Sequence, residues 1–357
     1  MRAVTVTAAG EGALREHPEP EVGAGELLLR LRCCGLCGTD LFKLAHGVAA
    51  GTVLGHELVG TVAAVGAGLE GFAPGDRVVT PHHVPCGACP LCRRGSETLC
   101  PVFREDLLQP GGFSEMVLVR ERAARQAARR LPPGLADEAA LFLEPAACVL
   151  RGVRRALPDL ASGPGSWDSA AVLGGGGMGL LHLLVLKALA PDSRVLLVEP
   201  LAERRQAARR LGADAAVAPP AAAAAAREIS GGLGVDAVFD TVGGAAPLEA
   251  ALGLCREGGA VVLFGHARPG ERAGFELNRL FKHEVRLLGT YSGGPSEQRA
   301  VFDLLCSGRL DPAPLVTHRL PLSHFAEAVA LATGRAALKI VLVPDGSGPG
   351  RSGATSP

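Results

Sequence analysis

A chain of 357 residues that is 48% hydrophobic can bury two cores, and its 36 basic and 36 acidic residues leave no net charge. With no basic cluster, that balance excludes the electrostatic footprint of a nucleic-acid or anionic-membrane binder and leaves small neutral or mixed-charge ligands. No apolar run reaches bilayer length, and MRAVTVTAAGEGALREHPEP has no apolar core followed by a small-residue cleavage site, so a cytoplasmic chain is expected; there, ten cysteines point to metal or redox chemistry rather than disulfides.

From the start to about residue 145, short β-type runs (ELLLRLRCCG, LVGTVAAVG, DRVVTP) are broken by Gly and Pro, which predicts an irregular, mostly β domain. Two fragments inside it, GLCGTD at 35–40 and GHE at 55–57, and LEPAACVLRGVRR at 143–155, carry mixed ligand types. Cys37, His56 and one carboxylate would make a three-ligand zinc site with a fourth position left for water or substrate. Glu144 suits the third place, because Pro145 at a first helical position leaves Glu144 at the cap; an ordinary capping carboxylate is the alternative. Behind it Val149, Leu150, Val153 and Leu157 recur at helical spacing, opposite Arg151, Arg154 and Arg155. Glu57 is an alternate ligand or an outer neighbour. Cys34 and Cys37 also form a CxxC, but no thioredoxin context follows, so Cys33 and Cys34 read as small core residues.

The loop CGACPLCRRGSETLC at 86–100 brings Cys86, Cys89, Cys92 and Cys100 together, with Gly87 and Pro90 bending the backbone. Four thiolates around one Zn²⁺ close the coordination sphere, so this site is structural; an iron–sulfur cluster or four unrelated cysteines are the rivals. Arg93 and Arg94 either offset the charge of the lobe or are solvated.

From about Ser169 the pattern becomes strand, glycine cluster, helix, strand: AAVLGGGGMGLLHLLVLKALAPDSRVLLVEP. It continues through VDAVFDTVG, AVVLFG and VRLLGTY, the alternation of a doubly wound parallel sheet. Gly174, Gly176 and Gly179 satisfy GxGxxG, with Gly177 and Met178 inside the loop, and a second strand ends at the acidic Glu199. The glycines let a pyrophosphate approach the helix N-terminus, and Glu199 can accept from the adenosine ribose diol and repel a 2′-phosphate, which favours NAD over NADP. Arg204 either reaches the same ribose or is a helix-surface residue. Ala221–Ala226 reads as a helix or surface connector. Beyond about 292, two helices (SEQRAVFDLLCSG, SHFAEAVALATG) and the strand-like ALKIVLVP carry no nucleotide signature and could fold back on the first region, before a tail, DGSGPGRSGATSP, of disordered composition.

The ordered set GLCGTD, GHELVGTVAAVGAGLEGFAPGDRV, the cysteine lobe, LEPAA and VLGGGGMG resembles the zinc-dependent medium-chain dehydrogenase/reductase family over nearly the whole chain. Its EPAA segment is more similar to the sorbitol and threonine dehydrogenase branch. The resemblance implies an α/β protein: a GroES-like, mostly β catalytic domain over 1–150 with the zinc lobe at about 86–100, and a Rossmann NAD-binding domain over 151–291. A return to the catalytic domain over 292–345, a tail over 346–357, an active site in the cleft and a homodimer or homotetramer are implied with it. It also implies that Cys37, His56 and Glu144 hold the catalytic zinc with Glu57 as neighbour, that Thr39 relays the proton and that Asp40 orients the histidine. The expected protein holds two Zn²⁺ per subunit and passes a hydride from a secondary alcohol (polyol, sugar or amino alcohol) to NAD, giving a ketone. A zinc-free quinone or enoyl reductase of the same superfamily is one alternative, but it has no use for Cys37, His56 and Glu144 together. A non-catalytic dinucleotide sensor or scaffold is another. The chain departs from the CG(S/T)DxH pattern of its branch at Phe42, so ordered water, His46 or Lys43 has to replace the relay histidine.

Overall fold

The computed structural model describes residues 1–8, 10–157 and 167–346. Its contacts divide the chain into two compact units: Met1–Leu143 with the segment that begins at Ala313, and Glu144–Pro312. The helix Leu143–Ala156 therefore belongs almost wholly to the second unit, as does Pro295–Cys306, where the sequence reading set its boundaries at 150 and 291. The cause is local packing. Arg151 and Arg154 of the first helix pair with buried Glu297 of the second at 3.6 and 3.3 Å, and Gly293 lies so close to Ala147 that a side chain there would overlap its backbone. Of the tail expected at 346–357, residues 347–357 lie outside the described residues.

The first unit is β-rich. Its sheet runs Val316–Pro321, Lys339–Val343, Leu27–Gly35, Glu57–Val65, Arg77–Thr80, Arg129–Arg130, with Met116–Val119 also paired to Leu27–Gly35. Register decides what these strands bring together: Gly35 faces Glu57 across one antiparallel pair and Val341 across the other. Leu27, Leu29, Leu58, Phe113 and Leu342 are sealed in the core beneath the sheet. This is the GroES-like, mostly β fold, completed by a strand from far along the chain.

The second unit holds a six-stranded sheet in the order Ala215–Val217, Arg194–Val198, Ser169–Leu173, Val235–Asp240, Cys255–Leu263, Arg286–Gly289, every pair parallel. The third, second, first, fourth, fifth, sixth order is that of a Rossmann fold, whose ligand crevice opens where the order reverses. Here that point lies between the carboxyl ends of Ser169–Leu173 and Val235–Asp240, where the Thr241 N–H and hydroxyl both donate to the Leu173 carbonyl. The alanine run forms the helix Ala222–Ile229, with Ala222, Ala225, Ala226 and Ile229 buried in the core of this unit.

Candidate functional site

Cys37 is the N-cap of the helix Gly38–His46, and the fragment Cys-Gly-Thr-Asp forms its capping box. The Thr39 N–H donates to Cys37 Sγ at 3.5 Å, and Asp40 Oδ2 accepts from the Cys37 N–H at 3.0 Å. The other Asp40 oxygen accepts from the Gly55 N–H at 3.3 Å and lies 3.4 Å from His56 Nδ1. Gly55 has φ +93 and lies against Phe113, a turn that delivers His56 onto this carboxylate. Asp40 is fully buried; burial pushes its pKa up, but His56 and the two backbone donors hold it below the usual carboxylate value.

Cys37, His56 and Glu57 place their ligand atoms within 4.8 Å of one another. Burial works against a charged His56 ring, yet Asp40 and Cys37 raise its pKa well above normal, so the pocket favours a positive charge. A dication suits that field, and a carboxylate on Nδ1 leaves Nε2 as the ligating nitrogen. Glu57, in turn, pairs with buried Lys339, which also sits 5.6 Å over the Phe142 ring. The other Glu57 oxygen, Oε1, is buried without a partner. Burial lowers the pKa of Lys339, but Glu57 and Cys37 outweigh it and the net shift is upward.

Lys339 was missed by sequence reasoning. Its signal was a lone cation leading the apolar strand KIVLV, every residue of which is buried. Also missed was the His82-His83 pair: the His82 ring lies 4.4 Å from the His56 ring and 3.6 Å from that of His83. Burial lowers the pKa of both, that of His83 to about 3. His46 does not reach inward; it is exposed, stacked on Phe42 at 4.1 Å, with Nδ1 on the Phe42 carbonyl at 3.0 Å. Cys33 and Cys34 are buried core thiols whose pKa values burial raises.

Glu144 lies in the second unit, in the first turn of Leu143–Ala156 and not at its cap, because the helix begins one residue before it. Its Oε1 accepts from the Cys148 thiol at 3.3 Å.

Cys86, Cys89, Cys92 and Cys100 also gather within 4.8 Å, with Cys86–Cys92 and Cys89–Cys92 sulfur separations of 3.9 and 3.5 Å. A tetrahedron with Zn–S of about 2.3 Å has edges of about 3.8 Å, which this set matches. The Ala88 and Cys89 N–H groups donate to Cys86 Sγ and lower its pKa to about 6, whereas burial and neighbouring Cys89 push Cys92 up to about 12. Four thiolates cannot coexist there without a cation. Arg93 donates to the Ala88 carbonyl of the same loop, so it braces the lobe backbone.

In the second unit the strand Ser169–Leu173 runs into Gly174, at φ +96, and the helix Gly177–Leu189 is capped by Gly176. A Cβ on Gly179 would fall 1.8 Å from the Gly174 carbonyl oxygen, so only glycine lets this turn close at the start of the helix, where the first N–H groups have no partner within it. Glu199 is 4% exposed and uses both oxygens locally: Oε2 accepts from the Gly175 N–H at 2.6 Å, Oε1 from the Leu201 N–H at 2.9 Å. Arg204 brings Nη1 within 3.8 Å of where a Cβ on Gly176 would sit, and Arg205 donates to the Glu199 and Pro200 carbonyls.

Residues 23–129 match the alcohol dehydrogenase GroES-like domain, and residues 177–307 the zinc-binding dehydrogenase domain. The D-altritol 5-dehydrogenase of Agrobacterium fabrum is 32% identical over 329 residues, covering 91% of this chain and 94% of its own. The sorbitol dehydrogenase of Halalkalibacterium halodurans is 28% identical over 355 residues, covering 96% and 99%. The solved alcohol dehydrogenase TADH from Thermus sp. ATN1 aligns with a TM-score of 0.84 at 32% identity, covering 96% of this chain and 100% of that one. No helix among the described residues is long and apolar enough to cross a membrane. Cysteine lobe, mixed-ligand pocket and glycine loop thus stand on the fold their chemistry calls for, and the chain belongs to the zinc-dependent medium-chain dehydrogenase/reductase family, whose cofactors are zinc and a nicotinamide dinucleotide.

Proposed function

We propose that this dehydrogenase oxidises a secondary alcohol of a polyol, sugar or amino alcohol to the ketone with NAD, in the cytoplasm, as a homodimer or homotetramer. The observation that carries the reading is the cation-favouring set of half-buried Cys37 with buried His56 and Glu57, and Asp40 on the Nδ1 side of the imidazole. When bound, zinc supplies a Lewis acid that lowers the pKa of an alcohol oxygen, and the oxidised nicotinamide supplies the hydride acceptor. Cys37 Sγ, His56 Nε2 and one carboxylate would hold that metal. Glu144 is the carboxylate of the family pattern, and Glu57 is the one grouped with Cys37 and His56. One thiolate and one carboxylate leave the ligand set formally neutral against a dication. Asp40 fixes the His56 ring by its Nδ1 side. Reduction of NAD across a panel of sugar alcohols, amino alcohols and inositols on zinc-loaded protein tests the reading. A flat panel with the metal in place rejects it in favour of a dinucleotide sensor.

Thr39 follows Cys37 by two residues and is half-buried, so its hydroxyl is the one that takes the proton from the substrate hydroxyl. Thr39→Ala is expected to lower kcat by about 10²-fold, the range of a general acid–base group. His46→Ala is expected to cost less than about tenfold, because that ring is occupied by the Phe42 carbonyl on the outer face of its helix. Steady-state kinetics of both variants decide between a relay through Thr39 to water and one through His46; a loss at His46→Ala that high pH restores would make His46 the exit.

Cofactor choice rests on Glu199, whose buried carboxylate has lone pairs left for a ribose diol and none of the tolerance needed for a 2′-phosphate. NAD is expected to exceed NADP clearly in kcat/KM. Glu199→Ser is expected to narrow that ratio, with Arg204, beside Gly176, as the cation that meets the phosphate. Since Glu199 also ties down the Gly175 N–H, the same variant should raise the KM for NAD itself. Comparable efficiency of the wild type with both cofactors would show that Glu199 does not read the ribose.

A further inference from the structure

We infer that Thr241 is a positioning residue for the dinucleotide: its hydroxyl anchors the glycine loop to the strand Val235–Asp240 and so sets where that loop meets the cofactor's pyrophosphate. This deepens the cofactor side of the dehydrogenase reading and rests on Gly174–Gly179 being the pyrophosphate loop.

The loop leaves the strand Ser169–Leu173, which lies between Arg194–Val198 on one side and Val235–Asp240 on the other. Both sides hold it. On the first, the Gly174 N–H donates to the Val198 carbonyl at 2.8 Å and the Gly175 N–H to Glu199 Oε2 at 2.6 Å. On the second, the Leu173 carbonyl accepts twice from Thr241, from its hydroxyl at 2.6 Å and from its N–H at 3.2 Å. The hydroxyl makes the shorter bond and carries the anchor. The head of the loop is thus suspended between two strands at the point where their order reverses, and Thr241 is the counterpart of Glu199 across it.

The hydroxyl also uses the room that the glycines leave. Oγ1 lies 2.7 Å from where a Cβ on Gly174 would sit and 3.3 Å from where one on Gly179 would, so it packs beneath the first and the last glycine of the motif. Thr241 stands on a braced turn. Asp240, fully buried, accepts through Oδ1 from the Val242 and Gly243 N–H groups at 2.9 and 3.0 Å, and its carbonyl accepts from the Gly265 N–H at 2.8 Å. A rigid donor at the head of the loop fixes the direction of the first N–H groups of the helix Gly177–Leu189, and those are the groups an anion meets. Loss of that donor should weaken the hold on the pyrophosphate and leave the adenosine end and the reacting carbon alone.

The test measures the Kd of NADH by nicotinamide fluorescence, and those of ADP-ribose and adenosine by displacing NADH, on the zinc-loaded enzyme. Thr241→Val, close in shape but unable to donate, is expected to raise the Kd of NADH and ADP-ribose by about tenfold, to leave that of adenosine within about twofold, and to change kcat by less than about threefold. Thr241→Ser, which keeps the donor, should bind within about threefold of wild type. An unchanged Kd for ADP-ribose in Thr241→Val, whatever its thermal stability, makes the residue structural only and overturns the inference. So does a loss shared equally by adenosine, or a Thr241→Ser variant as weak as Thr241→Val. NADH binding with no NAD reduction anywhere on the polyol panel is a different result: the dehydrogenase reading fails, while Thr241 is still judged by these Kd values.

Discussion

Cys37→Ser is expected to abolish alcohol oxidation in a protein that stays folded. Serine is a good N-cap, so the hydroxyl can take over the bond from the Thr39 N–H and the helix Gly38–His46 keeps its start. As a zinc ligand the neutral hydroxyl is no replacement for a thiolate, and the pocket loses the anion that, with Asp40, favours a cation. Removing an outer partner of a metal ligand typically costs 10–100-fold, and removing the ligand itself should exceed that, about 10³-fold or more in kcat. Elemental analysis should fall from about two zinc ions per chain to about one, the survivor being held in the lobe. Cys100→Ser should behave in the opposite sense: its sulfur also accepts from the Cys86 N–H at 3.4 Å, so the lobe loosens and thermal stability falls, while the enzyme that survives keeps its chemistry. A wild-type protein with a single zinc, or with iron in the lobe, would reject the two-site assignment.

Lys339→Met is expected to destabilise the chain by about 3–5 kcal/mol, the usual penalty for removing one partner of a buried ion pair. Glu57 is 1% exposed and Lys339 7%, so water cannot take the place of the ammonium. Glu57 Oε1 already lacks a partner, and the substitution would leave the whole carboxylate uncompensated. Adding Glu57→Gln to Lys339→Met removes the orphaned charge and should recover much of the loss. Urea denaturation of the metal-free protein measures both. A Lys339→Met variant within about 1 kcal/mol of wild type would mean that the pair is solvated, in the range of a surface salt bridge.

What was readable from the sequence was what lies close together along it. Cys86 to Cys100, Cys37 to Asp40 and Gly174 to Gly179 are contiguous, so spacing alone brings their atoms together. The doubly wound sheet was legible for the same reason, since its period and glycine loop repeat locally. Lys339 was not legible because its role comes from strand order: Val341 pairs with Gly35 and Gly35 with Glu57, a juxtaposition made by the sheet and invisible to local pattern. His82 carried no motif either; its ring meets that of His56, 26 positions earlier, only because the fold brings the two loops together. Glu144 was read one step off its place in the helix, because Pro145 fits any position of a first turn and not the first alone.

The strand Lys339–Val343 also has a consequence for how the protein comes into being. Lys339 follows Glu57 by 282 positions, and the whole second unit, Glu144–Pro312, is made in between. At about 5–20 residues per second, a ribosome needs roughly 15–60 s to get from one to the other. During that interval the nascent first unit has Cys37, His56 and Glu57 but neither the strand that flanks Leu27–Gly35 nor the ammonium that neutralises Glu57. The dinucleotide-binding unit, being continuous, can finish folding first. Its partner is a latecomer, and the carboxylate of Glu57 gains its balancing ammonium only when the last strand of the first unit arrives.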